Sequence, residues 1–155
     1  MMTDASKPVK GAGTELYMAK EPGPTKPSIA TADTVIRLAD VKELTPPDMS
    51  VEVTEDSYLD APNPDWKEKT PGQKDPGQLG FTLAWKPDDP AQKTLVTELG
   101  GALRWFLIKY PNGKVDGFYG FISSIGKPLT IKDTITRTVK VDLSGKPALA
   151  EDGAA

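Results

Sequence analysis

Residues 129–143 read LTIKDTITRTVKVDL, and this stretch decides the fold. Ile131, Ile135, Val139, Val141 and Leu143 fall on one side of a two-residue period; Thr130, Lys132, Thr134, Thr136, Thr138, Lys140 and Asp142 fall on the other. The spacing predicts one long strand with a dry face and a wet face. About 15 residues is long for a strand, and an exposed edge of that length invites pairing with another chain. Asp133 and Arg137 interrupt the dry face four residues apart. The pattern leaves open whether they pair with each other, as one ion pair on a plain surface strand, or with a partner chain.

Working outward, the preceding segments also read as strands. Val115 to Ile125 carries Phe118, Tyr119 and Phe121, with Gly117 and Gly120 predicting a bend or bulge. Leu103 to Tyr110 is nearly continuously apolar, which predicts cover on both faces. Asn112-Gly113 between them predicts a type I′ hairpin turn. Leu79, Phe81, Leu83 and Trp85 share one face of another strand. Met49, Val51 and Val53 alternate with polar residues and predict a half-buried strand. Thr34 to Leu44 is read as a strand that Pro46-Pro47 ends, and Glu15 to Met18 as a short one.

One helix stands out. Asp88 or Asp89 is placed to cap it, Pro90 to occupy its first turn, and Gly100-Gly101 to stop it. Its stripe is Leu95, Val96 and Leu99, with Gln92, Lys93 and Glu98 toward water. The fold class is therefore mainly β: two packed antiparallel sheets, a sandwich or partly open barrel, with one flanking α-helix. A flexible N-terminal arm spans 1–13, the β-domain 14–148, and a flexible small-residue tail 149–155.

Residues 55–78 read as a long loop. They hold Pro62, Pro64, Pro71, Pro76, Gly72 and Gly77, and their six acids and three lysines give −3, the net charge of the whole chain. Structureless loops of more than about 12–15 residues tend to be functional or disordered. Tyr58, Leu59 and Trp66 are bulky groups that nothing within the loop could bury.

Composition excludes much chemistry. With no Cys and no His, zinc sites built on those ligands, thiol nucleophiles and a Ser-His-Asp triad are ruled out. Gly11-Ala12-Gly13 lacks the helix and Lys-Ser/Thr step of a phosphate loop and reads as a hinge. Asp88-Asp89 fits helix capping better than a metal site. No catalytic residue, cofactor or metal site is expected, and no apolar run is long enough to span a membrane. A net charge of −3 is the wrong sign for a protein that holds DNA by its phosphates.

Several ordered motifs resemble one family. PVKGAGT over 8–14, including Lys10, Gly11 and Gly13, is similar to the start of the major tail tube protein of lambda-like phages with long non-contractile tails; so is LADVKELTP over 38–46. DSYLD over 56–60 with Asp65-Trp66 resembles that family's long loop. FTLAW over 81–85, PNG over 111–113, SSIGK over 123–127 and ITRTVKV over 135–141 continue the match in order. The resemblance covers roughly residues 8 to 152. The lambda-type protein carries a further immunoglobulin-like domain, and a chain ending at Ala155 is expected to lack that decoration.

The resemblance implies hexameric rings that stack head to tail, with the inner sheets joined into one barrel around a lumen. The lumen would hold the tape measure protein and pass DNA on ejection without binding it specifically. Tail tip and terminator proteins would be further partners, in the virion and, during assembly, in the host cytoplasm. Under this reading Tyr58, Leu59, Asp65, Trp66, Asp133 and Arg137 meet neighbouring subunits, and the Thr134, Thr136 and Thr138 face lines either the lumen or the outer wall. The arm and the 55–78 loop are expected to be disordered in the free subunit and to order on stacking. The alternatives are a tube protein of a contractile tail or type VI-like injection system, and a monomeric β-sandwich binding module.

Overall fold

Each strand forms where apolar residues recur every second position, and the chain's antiparallel pairings collect those faces into one core. The computed structural model describes residues 11–27, 34–38, 41–56, 58–60, 62–129, 131–132 and 134–150. Nine strands and one helix follow in order: β1 (Glu15–Ala19), β2 (Val35–Leu38), β3 (Val41–Thr45), β4 (Ser50–Asp56), β5 (Glu68–Asp75), β6 (Gln78–Ala84), α1 (Pro90–Thr97), β7 (Arg104–Lys109), β8 (Val115–Gly126) and β9 (Thr136–Leu143). Seven form one sheet in the order β2-β1-β7-β8-β9-β6-β3, and β4-β5 form a separate two-stranded sheet. Every strand pairing is antiparallel.

The large sheet is bent about β8. Residues 115–120 of that strand pair with β7, whereas residues 120–126 pair with β9. Gly120 is the hand-over point, opposite both Arg104 and Leu143. A Cβ there would lie 2.2 Å from the Asp142 carbonyl oxygen, so only glycine permits the crossing of strands. Strands β2 and β3 close the same bend from the other side. They lie at opposite ends of the sheet order, yet Leu38 and Val41 are three residues apart, a reach of at most about 11 Å. The sheet thus curls until its ends nearly meet without forming a closed barrel.

The bend makes two layers that face each other over one core. Leu16, Met18, Phe106 and Ile108 come from one half, and Leu79, Phe81, Leu83, Val139 and Val141 from the other, with Phe118, Ile122 and Leu95 between. The β2-β1-β7 half is covered on both faces. Leu107 points away from Phe106 and Ile108 yet is fully buried, as a continuously apolar strand requires. Pro24 accepts a bond from Trp105 Nε1 at 2.9 Å, and residues 144–150 run along β8, bridging Gly117 to Ala148. The segment read as tail from 149 is therefore docked as far as Ala150, whose N–H donates to Asp116 Oδ1 at 2.7 Å.

Helix α1 begins as its sequence demands. The Asp89 side chain accepts from the Ala91 N–H, Pro90 fills the first turn, and Gly100 at φ 69° leads away. Gln92, expected toward water, is buried. Its amide donates to the Ala84 carbonyl at 2.7 Å, and its oxygen accepts from the Lys86 N–H at 2.9 Å. Val96 and Leu99, expected in the stripe, are about half exposed. The helix is tied at its other end by Arg104, which is 3% exposed, reaches Glu98 at 2.7 Å and donates to the Ala19 carbonyl.

Three further expectations change. The stretch from Thr34 to Leu44 divides into β2 and β3 on opposite edges. The 129–143 strand starts only at Thr136, and Ile131 is fully exposed. The β7–β8 turn is closed by Gly113 N–H to Tyr110 O, which puts Pro111 at the second position. Its locked negative φ forbids type I′, so a three-residue loop with Gly113 at φ 85° forms instead. In β8 the expected bend falls at Gly120, and a further register shift lies between Ile122 and Ser124.

Candidate assembly surfaces

The 55–78 segment is not a plain loop: β5 occupies most of its second half and pairs with β4. None of the residues of this hairpin is buried. Met49, Val51 and Val53 alternate as a half-buried strand should, yet they are 52%, 42% and 55% exposed. No part of the described chain covers their dry face. Toward the tip, Tyr58, Leu59 and Trp66 are 62%, 103% and 78% exposed, and Asp65 is exposed beside them. Asp48 to Gly77 holds eight acidic residues and three lysines, a net −5. An isolated two-stranded hairpin is marginal in water, which makes this element a candidate assembly surface.

The second surface is the bare face of the other half-sheet. In β3, β6, β9 and the second half of β8, the residues opposite the core are mostly short, such as Thr45, Gly80, Thr82, Ala84, Ser124, Gly126, Thr136 and Thr138, with Glu43, Lys140, Gln78, Asp142 and the 36% exposed Phe121 as the longer ones. Thr82 and Thr138 hydroxyls lie 3.5 Å apart across this face. The face is mostly short-chained and almost neutral. Among the described residues, neither edge of the half-sheet is paired with a further strand: β3 lies on one side, and on the other the part of β8 beyond Gly120, where Ile122 alone is bridged, accepting from the Gly100 N–H at 2.9 Å.

The remaining sequence candidates distribute as follows. Arg137 is half-buried in β9 opposite Leu83, and its Nε has no hydrogen-bond partner among the described residues. Asp133 and Lys10 lie outside the described residues, so the Asp133–Arg137 pairing does too. Thr134 precedes β9 and is exposed. Gly11 and Gly13, read as arm, belong to a turn in which Thr14 Oγ1 donates to the Gly11 carbonyl at 2.7 Å, and Gly13 lies against Pro111. Sequence reading missed Lys127, whose ammonium stands 4.0 Å over the Trp85 ring, and the exposed Leu129–Ile131 loop. The loop was hidden inside an apparently continuous strand.

The two surfaces lie on a molecule with direction. Gln78 pairs with Asp142 at the end from which the hairpin projects, and Ala84 pairs with Thr136 at the end that carries residues 127–135. Six residues of strand put these ends roughly 20 Å apart.

Solved structures share this architecture at low sequence identity. The SPP1 tail tube, determined by solid-state NMR and cryo-EM, matches with a TM-score of 0.59 at 13% identity, covering 92% of this chain and 80% of that one. The tail of an empty gene transfer agent particle, refined with C6 symmetry, gives 0.62 at 12%, covering 87% and 94%. The sheath-tube complex of an extracellular contractile injection system gives 0.66 at 12%, covering 91% and 90%. No curated protein matches in sequence. The sequence itself matches the lambda phage tail tube protein family over residues 17–150. That match leaves no place for the monomeric binding module: the chain belongs to the lambda phage tail tube protein family and is a structural subunit of a tail tube.

Proposed function

We propose that six copies close into a ring by pairing the β3 edge of one subunit with the β8 edge of the next, and that the Thr-rich bare face lines the lumen. The observation that carries this reading is the asymmetry of the sheet. One half is covered on both sides, whereas the other has a dry face on the core, a wet face on nothing, and two open edges. An open edge is a hazard to a monomer and a joint to an oligomer. A heterologous contact that closes around one axis and repeats along it builds a filament of rings. The C6 symmetry of the related gene transfer agent tail supports six.

A wall of threonine, glycine, alanine and serine, with Phe121 and Gln78 toward one end and Glu43 and Asp142 against Lys140, gives phosphates almost nothing to hold. Such a lumen would carry the tape measure protein during assembly and let DNA pass on ejection, with no catalytic step. The rings would stack through the β4–β5 hairpin, with Tyr58, Leu59 and Trp66 as anchors, ending on tip and terminator proteins. The tube would assemble in the host cytoplasm and be carried in the virion.

Electron microscopy of the purified chain, seeded with tail tips, tests this. Hollow six-fold tubes are expected, and a population that stays monomeric with tips present overturns the reading. Trp66→Ala should fold normally and polymerise poorly; normal tubes from that variant would remove the hairpin from the stacking contact.

A further inference from the structure

Resting on the stacking reading above, we propose that the loop bearing Leu129 and Ile131 of one copy seats in the groove at the base of the β4–β5 hairpin of the next copy along the tube. The groove encloses about 700 Å³ and is walled by Met49, Val51, Lys74, Pro76, Pro147 and Leu149. Its apolar wall includes two of the side chains that the chain itself leaves uncovered. Leu129 and Ile131, at 65% and 105% exposure, are the matching uncovered apolar groups at the far end of the same strands. A large apolar residue exposed in full gains by burial, and a subunit that presents a knob at one end and a hole at the other can satisfy both only by repeating head to tail.

Charge assigns the same direction. The hairpin region from Asp48 to Gly77 sums to −5. The sequence segments that flank Ala84 and Thr136 at the opposite end hold Lys86, Lys127, Lys132 and Arg137 against Asp88, Asp89 and Asp133, a sum of +1. Like ends repel and unlike ends attract, so head-to-head stacking is disfavoured and head-to-tail encounter is steered. Since Lys132 is exposed, this steering should weaken with salt.

The chain has no cysteine, which makes disulfide trapping clean. Val51→Cys and Ile131→Cys proteins, mixed and polymerised, should form a cross-linked dimer on oxidation, which neither forms alone. The double variant should give a ladder of cross-linked species that continues past six subunits. Tubes that form without this cross-link, or a ladder that stops at six, overturn the docking while leaving the tube intact. Failure of the unmodified chain to form tubes overturns the parent reading and the docking with it. As a second arm, Ile131→Asp should keep the monomer's melting temperature within about 2 °C, because the site is exposed. It should lower tube yield about ten-fold or more, because a charge would enter an apolar groove. Undiminished tubes from this variant count against the docking.

Discussion

The curled seven-stranded body and the β4–β5 hairpin are made of the same elements, antiparallel strands with alternating apolar residues, and they meet opposite fates. In the body, Phe106, Leu79 and Val141 are fully buried. In the hairpin, Val51 and Val53 keep the same alternation and stay about half exposed. Strand pairing supplies hydrogen bonds in both cases, but only the body has a second layer to dry its apolar face. The body can therefore hold itself together, and the hairpin is stable to the extent that a neighbour completes it.

The sharpest way to break this contrast is to cut equal holes in both regions. Phe106→Ala empties a site with no solvent access and should cost about 3–5 kcal/mol, read as a large fall in the denaturation midpoint. Arg104→Met should cost less, about 2–3 kcal/mol. It strands the Ala19 carbonyl, while Glu98, 29% exposed, regains part of its hydration. Gln92→Ala should cost about 0.5–1.5 kcal/mol, because the Lys86 N–H and the Ala84 carbonyl each lose this bond at a part-buried site where water replaces some of it. Val53→Ala in the hairpin should stay within about 0.5 kcal/mol in the same unfolding assay. A loss comparable to Phe106→Ala would show that the hairpin is part of the body after all.

The smallest effect concerns pH. The Tyr17 hydroxyl donates to Glu15 at 2.7 Å and holds its carboxyl below the usual range. Partial burial opposes this, and Arg37 and Lys109 add to it. A depressed folded pKa means that the contribution is present above the unfolded value and is lost as pH falls through the folded one. Melting curves of the wild type and Glu15→Gln should therefore converge on acidification. Parallel curves down to the acid limit would remove Glu15 from the body's acid response.

Much of the body was legible in the sequence because its signals are local. Asp89 and Pro90 announce the helix, and the nearly continuous apolar run from Leu103 to Tyr110 announces a strand covered twice. Misreadings arose where the outcome depends on what lies across space. Alternation through Met49, Val51 and Val53 looks the same whether or not a second layer arrives. Ile131 and Ile135 extend the period of β9 past the point where Ala84 ends its partner strand. Gln92 looks like a water-facing residue until the end of β6 offers it a donor and an acceptor. At the hairpin, sequence could mark Tyr58, Leu59 and Trp66 as out of place, and they remain exposed in the structure; under the proposed stacking, a neighbouring subunit receives them.

The pairing of β1 with β7 sets a schedule for the newly made chain. Leu16 must wait for Ile108, its partner across the ladder. At about 5–20 residues per second, that wait lasts roughly 5–18 seconds of synthesis. The β3–β6 pair joins the rest of the sheet later in synthesis still, because β9, the last strand made, alone links it there. Throughout that interval, nascent chains on one message display strand edges of the kind proposed to join finished subunits. Folding speed relative to translation, as much as affinity, then governs whether neighbouring copies meet as rings or as tangles.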